Sequence, residues 1–84
     1  MNNPVIMRVE LATNAAPFVP KRLVATFSLV APQGNSADVV VSDGKGGSAD
    51  LPPGSQFRFE KVDLAELSVR GKAGEEVFVV GHTA

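Results

Sequence analysis

The 84-residue chain contains no cysteine, no tryptophan and no tyrosine, and its only histidine is His82. Without cysteine there is no disulfide bridge, no thiolate zinc site and no thiol nucleophile. Without Trp or Tyr, the aromatic platform on which sugars usually stack is missing. A serine triad needs a histidine that a third group holds in place, and we expect residues 81–84 to form a frayed tail. The sequence therefore predicts a protein that is not an enzyme.

An excess of charge of one sign is also absent. Eight Lys and Arg balance nine Asp and Glu, which gives a net charge of -1. Nucleic-acid-binding domains normally carry a basic excess or stripe, so we expect no direct contact with nucleic acid. No apolar run approaches the ~18 residues of a membrane span, and the N-terminus has no basic region typical of a signal peptide. We therefore expect synthesis in the cytoplasm and no membrane association.

The dominant pattern in the chain is an alternation of apolar and polar residues with period 2. In residues 56–62, for example, Phe57 and Phe59 share one face and are expected to point into the core. Such segments predict a single all-β domain over residues 1–84, a small antiparallel β-sandwich or barrel of six to seven short strands. The main strands are predicted at residues 5–11, 22–31, 38–42, 56–62, 67–70 and 76–80.

The segments between these strands carry their own signals. Residues 12–20 include Pro17 and Pro20 and are expected to be an extended, proline-flanked connection. Residues 43–50 are polar and glycine-rich, as in a hairpin tip whose glycines need positive φ. Asp63 is placed to cap a helical turn over residues 63–66. Residues 71–74 predict a hairpin between the last two strands.

The small size of the chain indicates that it works with a partner. A domain this short buries only about 60–65% of its unfolded surface, so small domains usually add disulfides, a metal or a partner subunit. Disulfides are impossible here. In the 43–50 segment two aspartates could bind Ca²⁺, but the spacing is not that of an EF-hand and Lys45 opposes a cation. We expect no metal and no cofactor, and therefore oligomerisation or docking on a larger surface.

Two segments supply candidate partner contacts. Phe18 lies between two prolines, where it could fill the core of its own domain or anchor the chain onto a neighbour. The 43–50 loop is the second candidate. The residues chosen from both segments are Phe18, Lys21, Arg22, Asp43, Lys45 and Asp50.

The segment 51–80 carries a resemblance to a known class of protein. It reads as a proline-glycine turn, an alternating strand, Val62-Asp63-Leu64, a short strand, Gly71-x-Ala73-Gly74 and a final strand. This order resembles small virion structural proteins of tailed bacteriophages. No catalytic residues carry over, because the pattern has none.

The resemblance implies a capsid decoration or cement protein on the outside of the virion. Such a protein would bind across subunits of the major capsid protein and stabilise the shell, often as a trimer at three-fold positions. The alternative is a tail, fibre or neck component that acts as a receptor-binding, glycan-binding or adaptor module. Hundreds of copies per particle indicate decoration, whereas about a dozen or fewer indicate the neck or tail.

Overall fold

A computed structural model describes residues 3–83 of the chain. Within them it contains eight strands and one single-turn 3-10 helix. The strands are β1 (Pro4–Glu10), β2 (Ala16–Pro17), β3 (Val24–Val30), β4 (Val39–Ser42), β5 (Ser48–Leu51), β6 (Gln56–Asp63), β7 (Ser68–Arg70) and β8 (Glu76–Thr83), and the 3-10 helix is Leu64–Glu66.

The strands form two four-stranded antiparallel sheets that pack as a sandwich. Sheet A has the order β1-β8-β3-β6, and sheet B has the order β2-β7-β4-β5. The prediction of a small all-β sandwich is confirmed, with eight strands rather than six or seven. The two additional strands are β2, inside the segment expected to be extended, and β5, inside the polar link. β2 has two residues and β5 has four, and their backbone pairing with β7 and β4 defines them as strands.

The core lies between the two sheets and follows the predicted alternation. On β3 and β8 every second side chain points inward, so Phe27, Leu29, Val77 and Val79 are almost fully buried. The ring of Phe27 stacks on that of Phe59 in β6, with centroids 5.2 Å apart and planes inclined by 16°. The other fully buried side chains above alanine size are Val39, Leu51 and Leu64.

The hairpin expected across residues 71–74 does not exist. β7 belongs to sheet B and β8 to sheet A, so this segment crosses from one sheet to the other. It is still a tight turn, since the N–H of Glu75 donates to the carbonyl of Lys72 at 3.1 Å and Gly74 has φ +90°. Turn residues report a reversal of the chain, but they do not determine which sheet the next strand joins. The real hairpin is β4–β5, whose tip has positive φ at Gly44 and Gly46, as predicted.

Residues 81–83 are part of sheet A, so the expectation of a frayed tail was wrong for them, and Ala84 lies outside the described residues. β8 continues to Thr83 and pairs with β1 on one side and β3 on the other. Gly81 permits this continuation. A Cβ at this position would lie 2.1 Å from the carbonyl oxygen of Thr26 and 2.5 Å from the Cα of Phe27. The two central strands therefore approach more closely here than any side chain would allow.

The prediction that Phe57 lies in the core was also wrong. Phe57 faces the space between the sheets, but its position on β6, the edge strand of sheet A, leaves it 39% exposed. A β-bulge interrupts the same strand opposite Thr26. Lys61 adopts φ +53° there, and its N–H donates to the hydroxyl of Thr26 at 3.2 Å.

Candidate partner-binding surfaces

One end of the sandwich gathers most of the residues selected from the sequence. Ser68, the first residue of β7, pairs with both Pro17 and Ser42, so the segments after β2 and β4 leave the sheets side by side. Asp63, the last residue of β6, pairs with Val24, the first residue of β3. The 18–23 segment, the 43–47 turn and the 3-10 helix therefore meet at this end, which we call the loop end.

The 18–23 segment is fastened to the residues around the 3-10 helix. The N–H of Phe18 donates to the carbonyl of Leu67 at 3.2 Å, and the carbonyl of Leu23 accepts from Leu64 at 2.9 Å. Phe18 is half-buried and packs against the core, whereas Lys21 and Arg22 are exposed. Of the two roles left open for Phe18, the structure therefore provides the contact with its own core.

Asp63 holds this segment in place. Its carboxylate accepts hydrogen bonds from the backbone N–H groups of Leu23 and Ala65, both at 2.9 Å. The second bond is the predicted N-terminal cap of the helical turn. These two donors lower the pKa of Asp63 because they stabilise the ionised carboxylate, and the positive charge of Arg22 adds a smaller effect in the same direction. Arg22 lines a shallow surface cavity of about 430 Å³ together with Lys61, Asp63 and Glu66.

The 43–47 turn is closed by its own aspartate. The Asp43 carboxylate accepts from the N–H groups of Lys45 at 2.7 Å and Gly47 at 3.0 Å, and these bonds lower its pKa. Because the carboxylate is engaged with the backbone of its own loop, Asp43 shapes the turn. Lys45 is exposed at the tip. Asp50 lies apart from these residues, exposed on β5 opposite Val40.

A groove opens between the two sheets along the side where the edge strands β5 and β6 lie. It has a volume of about 240 Å³, and Phe57 and Phe59 form one wall. The opposite wall comes from β4 and β5 and includes Val41 and Ala49, while Asp43 lies at the margin. The groove follows from the exposed position of Phe57, which sequence reasoning assigned to the core.

The outer face of sheet A carries an apolar patch that the sequence-based selection missed. Ile6 is 76% exposed and Val80 48%, and they are direct cross-strand partners on β1 and β8. Phe78 and Val30, partners in the next row of the same face, are half-buried. The sequence contained a signal for this patch, because Ile6 falls on the otherwise polar side of β1. Isolated exposed apolar residues are common, whereas Ile6 and Val80 are adjacent across two strands, which makes this face a candidate contact surface.

Glu75 is a third carboxylate that accepts a hydrogen bond from a backbone N–H group. Glu75 accepts hydrogen bonds from the N–H and hydroxyl groups of Ser36 at 2.5 and 2.9 Å, and these lower its pKa. Asp43, Asp63 and Glu75 are thus shifted away from the near-neutral pKa that general acid–base catalysis uses. Within residues 3–83, no three His, Asp or Glu side chains converge as metal ligands. Over the same residues, no helix has the length and apolar character needed to span a bilayer.

Comparison with known proteins gives no relative for this chain. No protein-family model, no curated protein and no solved structure matches it. The assignment of a function therefore depends on the surfaces described above and on the resemblance carried by residues 51–80.

Proposed function

We propose that this chain is a non-enzymatic structural protein of a tailed-phage particle, which decorates and stabilises the capsid by binding across subunits of the major capsid protein. The observation that carries the proposal is the apolar patch on the outer face of sheet A, centred on the Ile6–Val80 pair. A structural protein needs a contact surface and no reactive centre. The lowered pKa values of Asp43, Asp63 and Glu75 are in keeping with carboxylates that hold loops in place.

The energetics of this patch suit a protein that binds in many copies. Complete burial of one valine or isoleucine side chain contributes about 1.5–3 kcal/mol, so docking of the patch supplies a few kcal/mol per copy. Part of that is offset by the loss of translational and rotational freedom on binding. Each contact is therefore weak. Because the copies bind only the assembled shell, their binding free energies add to the stability of the shell by mass action.

The loop end provides a second contact of different character. Lys21, Arg22 and Lys45 are exposed there and contribute positive charge to this end. We expect these side chains to orient the domain on an acidic part of the shell, since exposed charges influence specificity and association rate more than affinity. Replacing Lys21 and Arg22 by alanine should slow association with particles more than it weakens final binding.

The test uses particles produced by a phage whose gene for this chain has been deleted. Purified protein is then added back to these particles. Val80→Glu places a charge in the apolar patch. Val40→Glu is the matched control, because Val40 occupies the outer face of sheet B on the central strand β4. Bound copies are counted by quantitative mass spectrometry. We expect the unmodified chain and Val40→Glu to bind at hundreds of copies per particle, and Val80→Glu to lose at least tenfold in occupancy.

Three results would contradict the proposal. Equal occupancy for Val80→Glu and Val40→Glu would remove the apolar patch as the contact surface. About a dozen or fewer copies per particle would favour the neck, tail or fibre alternative. Absence of the chain from purified particles, together with specific binding on a glycan array, would favour a carbohydrate-binding module.

A further inference from the structure

The four edge strands of the sandwich differ in how well they are protected against pairing with another chain. An edge strand presents unpaired N–H and C=O groups, and proteins commonly shield them with short strands, prolines, bulges or charges. β2 has two residues and contains Pro17, and β5 has four residues, two of them the polar Ser48 and Asp50. β6 has the bulge at Lys61 and a charged run, Arg58, Glu60 and Lys61, near it.

β1 has little of this protection. It runs for seven residues, Pro4–Glu10, and pairs with β8 throughout without a register shift. The only proline is its first residue, and its two charged residues, Arg8 and Glu10, lie in its second half. The guanidinium of Arg8 is turned back toward its own sheet, where it forms an ion pair with Glu76 of β8. The first half of the strand contains Val5 and Ile6, which favour β-structure.

The hydrogen-bond pattern shows which backbone groups β1 presents to the outside. The carbonyl of Asn3 accepts from Thr83, and the N–H of Leu11 donates to Glu75, both at 2.8 Å. Antiparallel ladders alternate, so the odd-numbered residues between these two positions bond to β8. The N–H groups of Ile6, Arg8 and Glu10 therefore point away from the sheet, along its free edge.

Both faces of β1 also carry apolar side chains that are incompletely covered. Met7 and Val9 point toward the core but are only half-buried, although they pack against it. Ile6, on the opposite face, is 76% exposed. Because β1 has a neighbouring strand on one side only, these side chains lie beside its free edge.

We propose that β1 pairs with β1 of a second copy of this chain, antiparallel and in a register centred on Met7. This would join two copies of sheet A into one continuous eight-stranded sheet around a two-fold axis. The inference concerns self-association alone, so it does not depend on the particle role proposed above. It differs from the trimer that the resemblance implies.

The sequence of the strand is what selects a second copy as the occupant. A two-fold pairing needs an edge that matches its own reverse, and the inward residues Val5, Met7 and Val9 are symmetric about Met7. In this register all seven residues pair. Met7 lies opposite Met7 of the second copy, and Val5 lies opposite its Val9. Ile6 lies opposite Arg8 of the second copy, and no like charges are directly opposed.

Cysteine scanning tests this register without interference, because the chain has no cysteine of its own. In Met7→Cys the two introduced thiols occupy a non-hydrogen-bonded pair with Cα atoms about 4.5 Å apart, within the disulfide range. In Ile6→Cys the two thiols are diagonal, at about 7–8 Å, which is too far. We expect mild oxidation to cross-link Met7→Cys at least tenfold faster, although Ile6 is the more exposed position.

Sedimentation velocity provides the second measurement. The pairing of two seven-residue edge strands buries less area than a standard protein–protein interface. We therefore expect a weak dimer that dissociates on dilution from about 1 mM to about 1 µM. Ile6→Pro removes a free-edge N–H that β8 does not use. Ile6→Thr is the matched control, because it keeps the N–H and the β-branch. We expect Ile6→Pro to raise the dissociation constant at least tenfold and Ile6→Thr to change it by less than threefold.

A protein that stays monomeric at 1 mM would overturn the proposal. So would a trimer, cross-linking that is as fast for Ile6→Cys as for Met7→Cys, or equal weakening by Ile6→Pro and Ile6→Thr. If Ile6→Pro fails to fold, which far-UV circular dichroism would show, amide exchange replaces it. The amides of Ile6, Arg8 and Glu10 should then become protected as the concentration of the unmodified protein rises, and exchange that is independent of concentration would contradict the pairing.

Discussion

Gly81 is the position where a single methyl group should do most damage to the sandwich. In Gly81→Ala the new Cβ would meet the carbonyl oxygen of Thr26 at 2.1 Å and the Cα and Cβ of Phe27 at 2.5 and 2.7 Å. Two of these atoms belong to the backbone of β3, which is held between β8 and β6. The clash therefore cannot be relieved by a change of side-chain rotamer, and the two central strands would have to separate.

The magnitude follows from the cost of overpacking. Inserting a methyl group into a packed core costs about 1–3 kcal/mol and occasionally more, and the rigid backbone here places Gly81→Ala near 3 kcal/mol. The whole domain should have a free energy of unfolding of about 4–12 kcal/mol, from its 84 residues. One methyl group should thus remove a quarter or more of the stability. For a domain of this size the expected fall in Tm is about 12–24 °C.

Gly34→Ala is the matched control. Gly34 has no positive φ, and nothing lies within 4 Å of the position its Cβ would occupy. That substitution should be neutral or should stabilise the protein by about 0.4–1 kcal/mol through a less flexible unfolded chain. Urea titration followed by far-UV circular dichroism measures both variants, since the chain has no Trp or Tyr for fluorescence. A loss below about 1 kcal/mol in Gly81→Ala would refute the close approach of β8 and β3.

Three further predictions concern stability. Leu29→Ala should lower the free energy of unfolding by about 2–5 kcal/mol in the same urea titration, because Leu29 is fully buried between the sheets. Phe59→Leu should lose about 0.5–1.5 kcal/mol with the Phe27 stack, and an unchanged urea midpoint would contradict it. In the folded protein the pKa values of Asp43, Asp63 and Glu75 lie below their ordinary 3.8, 3.8 and 4.5. The three ionised carboxylates therefore add to the free energy of unfolding in full above about pH 4.5, and this contribution is lost as the pH falls through the lowered pKa values. Asp63→Asn should therefore flatten the acid limb of a plot of Tm against pH.

Most of the fold could be predicted from the alternation of apolar residues. The inward set on β3, including Phe27 and Leu29, and the capped turn at Asp63 lie where the pattern placed them. These are local properties, because the period of a strand and the capping of a turn depend on neighbouring residues. Sheet membership is not local. The 71–74 turn has the composition of a hairpin, yet it joins β7 in one sheet to β8 in the other.

The candidate surfaces were harder to predict, because exposure depends on the order of strands in a sheet. Phe57 and Phe59 share one face of β6, but the edge position of that strand leaves Phe57 partly exposed beside the groove. Ile6 was visible as an apolar residue on a polar face. Its significance required the knowledge that Val80 is its cross-strand partner. Lys21, Arg22 and Lys45 could be selected as exposed charges, but their shared location at the loop end comes from strand pairing alone.

A cryo-electron microscopy reconstruction of the phage particle that we propose carries this chain tests the central claim most directly. The account predicts density for the sandwich on the outside of the shell, in many symmetric copies. The outer face of sheet A, with Val80 and Phe78, should be turned toward the major capsid subunits. Density for the chain at the neck or tail alone, or on the shell with that face directed toward solvent, would contradict it.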